Sequence, residues 1–251
     1  ESMTKPIALI TGASRGIGAA TARLLASSAY DICINYHENQ SAAEKVMKQV
    51  EDLGSRACII QADISNEEDV IRMFSELSST LGPVTHLVNN AGILFPQSRL
   101  EDFSVERLQK IFSTNVIGTM LCCREAVKVM STKNGGDGGV IVNVSSVAAR
   151  TGSPHEYIDY ASSKGALDSL TVGLACEVAE EGIRVNAVRP GVIYTDMHAD
   201  GGEPDRVDRI KEIVPLKRGG TTEEVAKVIQ FLLSDDSSYC TGSILDVSGG
   251  R

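Results

Sequence analysis

A chain of 251 residues, 42% of them hydrophobic, is long enough for one large α/β domain or two small ones and has ample apolar side chains for a core. A net charge of −9, with the 24 Lys and Arg residues scattered, excludes recognition of nucleic-acid backbones, which depends on clustered cations. No apolar run approaches the ~20 residues a bilayer span requires, so no membrane partner is expected.

Glu1-Ser2 ahead of Met3 reads as a cloning remnant, and the domain is taken to run over residues 3–251. The first strand, Ile7–Ile10, leads into the glycine loop Thr11-Gly-Ala-Ser-Arg-Gly-Ile-Gly18, and an amphipathic helix follows from Ala19 to Ser27. Further short runs at Ile32–Asn35, Ala57–Gln61, His86–Val88, Val140–Val144, Arg184–Val188 and Ile244–Val247 are too short for helices, and most are rich in β-branched residues. With no Trp and only 4% aromatic residues the core must be aliphatic, which suits buried parallel strands. Between the runs lie helical patterns. Ser65-Asn-Glu-Glu68 and Thr221-Thr-Glu-Glu224 carry the Ser/Thr-x-x-Glu capping box, and the longest helices are expected over Val105–Met130 and Ala161–Ala179. The alternation predicts an α/β protein: a single doubly wound, Rossmann-type domain with a seven-stranded parallel sheet and helices on both faces.

Two stretches interrupt the rhythm. Asn134-Gly-Gly-Asp-Gly-Gly139 reads as a flexible surface turn. Residues 195–214 are polar, follow the sixth strand and are expected to form a lid over the substrate, because ligands of open α/β sheets bind beyond the carboxyl ends of the strands. Within this segment Met197, Ile210, Ile213 and Val214 are candidates to line an acyl channel. Six cysteines without CxxC spacing or His pairing read as reduced thiols of a cytoplasmic protein. Cys33, Cys58 and Cys176 fall in apolar runs and are expected to act as small hydrophobes, and no metal site is expected.

Strand, glycine turn and helix in succession suit a dinucleotide site. Gly12 permits the sharp turn, Gly16 lets backbone approach a pyrophosphate, and Gly18 lets helix and strand pack closely, while the helix N-terminus offers unpaired N–H groups to phosphates. The spacing is Gly-x-x-x-Gly-x-Gly, unlike the common Gly-x-Gly-x-x-Gly. Selectivity for NAD usually needs a carboxylate at the end of the second strand; Asn35-Tyr36-His37 stands there instead. Arg15 can bring a guanidinium to a 2′-phosphate, with His37 as a second donor, or can lie across the adenine face. Glu38 is expected to turn to solvent. The preferred cofactor is therefore expected to be NADP, with NAD possible.

Tyr160 and Lys164 are spaced i, i+4 and share one helix face. A free phenol, pKa ~10, is roughly 0.1% ionised near neutrality. A cation about 4 Å away at an effective dielectric near 20 lowers that value by about 3 units before desolvation. Ser146, at the end of the fifth strand, is the candidate donor to a substrate oxygen, preferred over Ser145 by strand alternation. Tyr157 has Ala161 four residues on instead of a lysine, and reads as a pocket or packing residue. His155, in a loop with Gly and Pro, reads as solvated or substrate-contacting rather than as a base. No Gly-x-Ser-x-Gly elbow is present, which removes Ser-His-Asp hydrolysis.

From Lys5 to Gly250 the chain resembles a short-chain dehydrogenase/reductase of the single-domain type. The resemblance rests on the glycine loop, Asp63, Asn89-Asn-Ala-Gly92, Asn115, Ser146, Tyr160, Lys164 and Pro190-Gly191 with Thr195. It leans toward the 3-oxoacyl carrier-protein reductase and glucose dehydrogenase branches. It implies an NAD(P)-dependent oxidoreductase for a small carbonyl or alcohol substrate, with Asn115, Ser146, Tyr160 and Lys164 catalytic and Tyr160 as general acid/base. It implies cofactor contacts from Gly12, Ser14, Arg15, Gly16, Ile17 and Gly18 in the loop, and from Asp63 at the adenine with Ile64. Further contacts are implied for Asn90, Ala91 and Gly92 at the ribose, Tyr160 and Lys164 at the nicotinamide half, and Pro190, Gly191, Ile193 and Thr195 beyond the sixth strand. Asn115 is implied to hold a water that relays protons to Lys164. The gap from Ser146 to Tyr160 is one residue longer than usual in the family, which puts an insertion in Gly152–Asp159. A homotetramer is implied, built partly from the C-terminal strand and partly from the two long helices, whose Leu121, Val127, Leu167, Leu170 and Leu174 exceed what one sheet face covers. The rival reading is a dinucleotide-binding sensor without turnover; the intact Ser146, Tyr160 and Lys164 count against it.

Overall fold

Seven short aliphatic runs pair side by side in a computed structural model that describes residues 4–251; Glu1, Ser2 and Met3 lie outside the described residues. The strands are β1 (Ile7–Ile10), β2 (Asp31–Tyr36), β3 (Ala57–Gln61), β4 (His86–Asn89), β5 (Gly139–Val144), β6 (Ile183–Pro190) and β7 (Ile244–Val247). They form one seven-stranded sheet in the order β3-β2-β1-β4-β5-β6-β7, and all neighbours are parallel. The chain order reverses between β1 and β4, where Ala8 pairs with Ile32 on one side and His86 on the other. Such a switch point opens a crevice at the carboxyl ends of the strands.

The helices are α1 (Gly16–Ala26), α2 (Gln40–Asp52), α3 (Glu67–Thr80), α4 (Val105–Phe112), α5 (Thr119–Met130), α6 (Ala148–Thr151), α7 (Ile158–Val178), α8 (Met197–Asp200), α9 (Arg206–Ile210) and α10 (Thr222–Leu233). Strand alternation decides which face each side chain enters. Ile10, Ile34, Val88 and Val142 meet Leu25, Val46, Ile229 and Leu232 of α1, α2 and α10 on one face. Leu9, Leu87, Ile141 and Val185 meet Met73, Leu77, Ala126 and Ala175 of α3, α5 and α7 on the other.

The strands fall where the apolar runs stand, several of them extended by one or two residues. Thr221 closes the expected capping box with Glu224. The box at Ser65 does not form: Asn66 caps α3 by accepting from the Asp69 N–H, and Ser65 donates to Asp63 instead. The helix expected over Val105–Met130 runs through without a gap, but winds as a π turn at Ser113–Gly118. The glycine-rich stretch after it lies at the surface as expected, with Asn134, Gly135 and Asp137 exposed, but its backbone is anchored: Gly138 N–H donates to the Met130 carbonyl at 2.8 Å and Gly139 N–H to Gly182 at 3.0 Å. Cys176 is exposed, contrary to the core role expected of it, whereas Cys33 is buried. All six cysteines are free. No helix among the described residues is long and apolar enough to cross a membrane.

Candidate active site

The glycine loop is held from beneath by three polar side chains, the buried Thr11 and Asn35 and the half-buried Asn90. Thr11 Oγ1, fully buried, accepts from the N–H groups of Asn90 and Ala91 at 3.0 Å each. Asn90 Nδ2 donates back to the carbonyls of Thr11 and Gly12. Asn35 Oδ1 accepts from Gly12 N–H at 3.1 Å, while its amide donates to the carbonyls of Ile60 on β3 and Ala62 just past it. Gly12 takes φ +58°, and a Cβ there would stand 2.9 Å from the Ala91 Cα. Gly16 has φ +59° with nothing within 4 Å of where its Cβ would project, so the start of α1 faces open space. Arg15, at the N-cap, supplies no side-chain cap, leaving the first N–H groups of the helix for an anion.

A cleft of about 1060 Å³ opens from this loop. Of the residues expected at a cofactor, Gly12, Ser14, Arg15, Gly16, Ile17, Asn35, His37, Asp63, Ile64, Asn90, Ala91, Gly92 and Thr195 line it. Gly18 does not, but a Cβ there would collide with Asn90 and Gly12, in keeping with close packing of helix and strand. Of the other residues expected at a cofactor, Tyr36, Tyr160, Lys164, Pro190, Gly191 and Ile193 do not line the cleft. Tyr36 is buried in the core between β2 and its helices. Ile193 is also buried there, its carbonyl bonded by His198 Nε2 at 2.7 Å. Glu38 is exposed, as expected, and also lines the cleft. Pro190 ends β6 and Gly191 packs on Ser248, both away from the cleft wall. Asp63 accepts from the Ser65 hydroxyl at 2.7 Å, and its other oxygen stands 3.7 Å from His37 Nε2.

The phenol, hydroxyl and ammonium singled out in the sequence converge past Gly92, whose Cβ position is 3.4 Å from Lys164 Nζ. Lys164 is buried, donates to the Val144 carbonyl at 2.9 Å and lies 5.5 Å from the Tyr160 ring centroid. Burial brings its ammonium down to about 8, with Asp168 opposing. Tyr160 departs from expectation: burial pushes its phenol up to about 12, opposed by the neighbouring Ser146 hydroxyl and by the charge of Arg206. The lysine is directed at the strand carbonyl and the ring, not at the phenol oxygen, so it does not deliver the lowering that the i, i+4 spacing suggests. Ser146 Oγ accepts from Ala148 N–H, and Ser145 is turned away to bond the Lys164 carbonyl, as alternation predicts. Asn115 sits in the π turn; its amide donates to the Ile93 carbonyl and to Ser163 Oγ, and its oxygen accepts from Ile93 N–H at 2.8 Å. π turns of this kind are frequent at functional sites.

Tyr157 is buried, edge-on to Tyr160 at 6.4 Å between centroids, and accepts from Gln97 Nε2. The loop before it takes left-handed conformations at Gly152, Ser153 and His155. Of the suggested channel residues only Met197 reaches the site, with Sδ 3.9 Å from the Tyr160 oxygen. Ile210 and Val214 close a small core with Val192 and Val207, and Ile213 is exposed. Several contributors went unnoticed in the sequence. Arg206 forks onto Glu156 at 2.8 and 3.0 Å. Arg107 clamps Asp159 at 2.7 Å, and Asp159 accepts from Tyr160 N–H. The only sequence signal for the latter pair is a carboxylate immediately before Tyr160.

The whole chain matches known proteins. A family profile described as enoyl-(acyl carrier protein) reductase covers residues 12–251. The uncharacterized oxidoreductase YgfF of Escherichia coli is 58% identical over 98% of this chain and 99% of its own length. The glucose 1-dehydrogenase of Gluconobacter oxydans is 39% identical over 96% of this chain and 90% of its own. A crystal structure of a short-chain type dehydrogenase/reductase from Mycobacterium marinum superposes with a TM-score of 0.92 at 32% identity, covering 99% of this chain and 96% of that one. The chain belongs to the short-chain dehydrogenase/reductase family. As a family member it is an oxidoreductase, and the sheet order and glycine loop described above are those of its Rossmann-type fold.

Proposed function

We propose that the protein is an NAD(P)-dependent oxidoreductase that interconverts a carbonyl and an alcohol, with Tyr160 as general acid/base. One observation carries the reading: Tyr160 and Lys164 stand together beside Met197 and Gly92, which line the cleft the glycine loop opens, with the Ser146 hydroxyl next to the phenol. The residues fit a dinucleotide. Gly16 leaves a space that any side chain would fill, and the uncapped start of α1 has N–H groups for a pyrophosphate. Gly12, Ser14, Ile17, Asn90 and Ala91 would hold it, with Asp63 and Ile64 toward the adenine and Thr195 toward the nicotinamide. When bound, the cofactor supplies or accepts the hydride.

The chain's own groups handle the proton. A phenol held near 12 is a donor, which suits protonation of a carbonyl oxygen as it becomes an alkoxide. Ser146 steadies that oxygen by a second hydrogen bond. Lys164 holds the ribose hydroxyls and, once drawn off the Val144 carbonyl, lowers the phenol for the reverse reaction. Asn115 fixes Ile93 and Ser163, and its oxygen retains one lone pair for a relay water. Residues 195–214 act as a lid, and Met197 must leave the phenol before a substrate oxygen takes its place. Gln97, Tyr157 and Glu156 make the neighbouring wall polar, which favours a hydroxylated substrate over a long acyl chain.

We further infer a preference for NADP. Asn35 is spent on the loop and carries no charge to repel a 2′-phosphate, and Arg15 lines the cleft. Unpaired cysteines support cytoplasmic residence. A homotetramer is supported by other residues than those first suggested. Leu167 is buried and Leu121, Val127, Leu170 and Leu174 pack on the monomer's core, whereas Phe112, Ile117, Met120 and Val172 are exposed. Screening sugars, hydroxyketones and acyl thioesters for a change in absorbance of the reduced cofactor tests the function. Turnover of a hydroxylated compound supports it, and no turnover across the panel with either cofactor contradicts it.

A further inference from the structure

One ion pair joins the lid to the glycine loop. Arg15 Nη2 lies 2.5 Å from Oδ2 of Asp200, the last residue of α8, although the two stand 185 positions apart in the sequence. Both residues line the cleft. The same single turn of helix carries Met197 at its other end, against the Tyr160 phenol. α8 therefore touches the catalytic tyrosine and the cofactor loop at once.

We propose that Asp200 is a cofactor-specificity residue: it occupies the Arg15 guanidinium that a 2′-phosphate needs, so that phosphate and lid compete for one cation. The inference rests on the reading of Arg15 as the phosphate's partner. Around the cleft Glu38, Asp63, Glu106, Asp196 and Asp200 supply five carboxylates, against only Arg15, Lys110 and the His37 imidazole. His37 itself leans toward Asp63. A second cation is thus scarce where the phosphate must sit. The planar fork of arginine matches phosphate as well as carboxylate, and a phosphate bearing nearly two charges outcompetes a single carboxylate. NAD makes no such demand, and it binds with the pair intact and the lid still tied to the loop. NADP has to break the pair, and in doing so frees α8 and with it Met197.

The pair is half exposed, 53% and 44% at the two side chains, so its worth is that of a surface ion pair. Removing the competitor should accordingly tighten NADP by about two- to fivefold. The test is calorimetric titration of NADP and NAD into the unmodified protein, Asp200→Asn, Arg15→Ala and the double variant. We expect Asp200→Asn to tighten NADP by that factor with NAD unchanged, the gain to shrink as salt is raised, and the gain to vanish in the Arg15→Ala background. A merely looser lid would shift both cofactors alike, and that result overturns the proposal. So does an Asp200→Asn gain that survives without Arg15, because the carboxylate then acts on the phosphate directly. Arg15→Ala weakening NADP while Asp200→Asn does nothing removes the role of Asp200 but leaves Arg15 as the phosphate ligand. An Arg15→Ala variant with an unaltered NADP to NAD ratio removes the underlying reading itself.

Discussion

Asp159→Asn should loosen the start of the catalytic helix more than any other single-atom change in the site. The carboxylate is fully buried and its partner Arg107 is 13% exposed, the two bonded at 2.7 and 3.4 Å. Arg107 is further fixed by the Pro96 carbonyl and by the ring of Phe103, 4.2 Å from its guanidinium carbon, so it cannot follow its charge into water. Breaking one side of a buried pair costs about 3–5 kcal/mol. Because the amide still accepts from Tyr160 N–H and a thin edge of Arg107 stays hydrated, the lower end, about 3 kcal/mol, is expected. For a chain of this size that is roughly 6–12 °C in Tm. Urea unfolding gives the free energy and scanning calorimetry the temperature. Pairing the change with Arg107→Met should recover part of the loss, since the uncompensated cation is then gone. A loss under about 1 kcal/mol, or strict additivity of the two changes, would refute the anchoring argument.

Acid should weaken the fold through His86, whose imidazole burial takes down to about 4 from 6.5 while Arg184 adds to the shift. Below pH 6.5 the unfolded chain takes a proton that the folded one refuses, so stability is full above that value and falls toward pH 4, by about 2 kcal/mol at about pH 5. Urea midpoints of His86→Phe should lack that component; an identical acid slope in both proteins refutes it. Lys164→Ala should weaken cofactor binding by roughly tenfold or more, as loss of a charged hydrogen bond to the ribose demands, and slow turnover as well. A shifted pH optimum with unchanged cofactor affinity would remove the ribose role. Light scattering at micromolar concentration should give about four times the 26.7 kDa of one chain, and a monomer's mass would refute the tetramer.

The fold was legible because its five inner strands are almost wholly buried and too short to be anything else, with caps such as Thr221 marking helix starts. Ser65 misled because Asn66, the next residue, caps as well and sits one step closer to the helix. The π turn at Ser113–Gly118 has no composition signal; it places the Asn115 side chain against Ile93 and Ser163. The site's local members were readable from spacing, since the glycine loop and the i, i+4 pair are each contiguous. What stayed hidden depends on the tertiary path: Asp200 reaching Arg15, Arg206 reaching Glu156, Arg107 reaching Asp159. Spacing also misjudged Tyr160. It puts Lys164 on the same helix face, but which acceptor the ammonium selects is decided by the Val144 carbonyl of β5.

The measurement closest to the central claim is the turnover of Tyr160→Phe, followed by absorbance of the reduced cofactor with the best substrate from the screen. Loss of a general acid costs about 10²–10⁴ in rate. The account predicts a fall of that size, with cofactor affinity and unfolding temperature close to those of the unmodified protein. Turnover near the unmodified rate would contradict it.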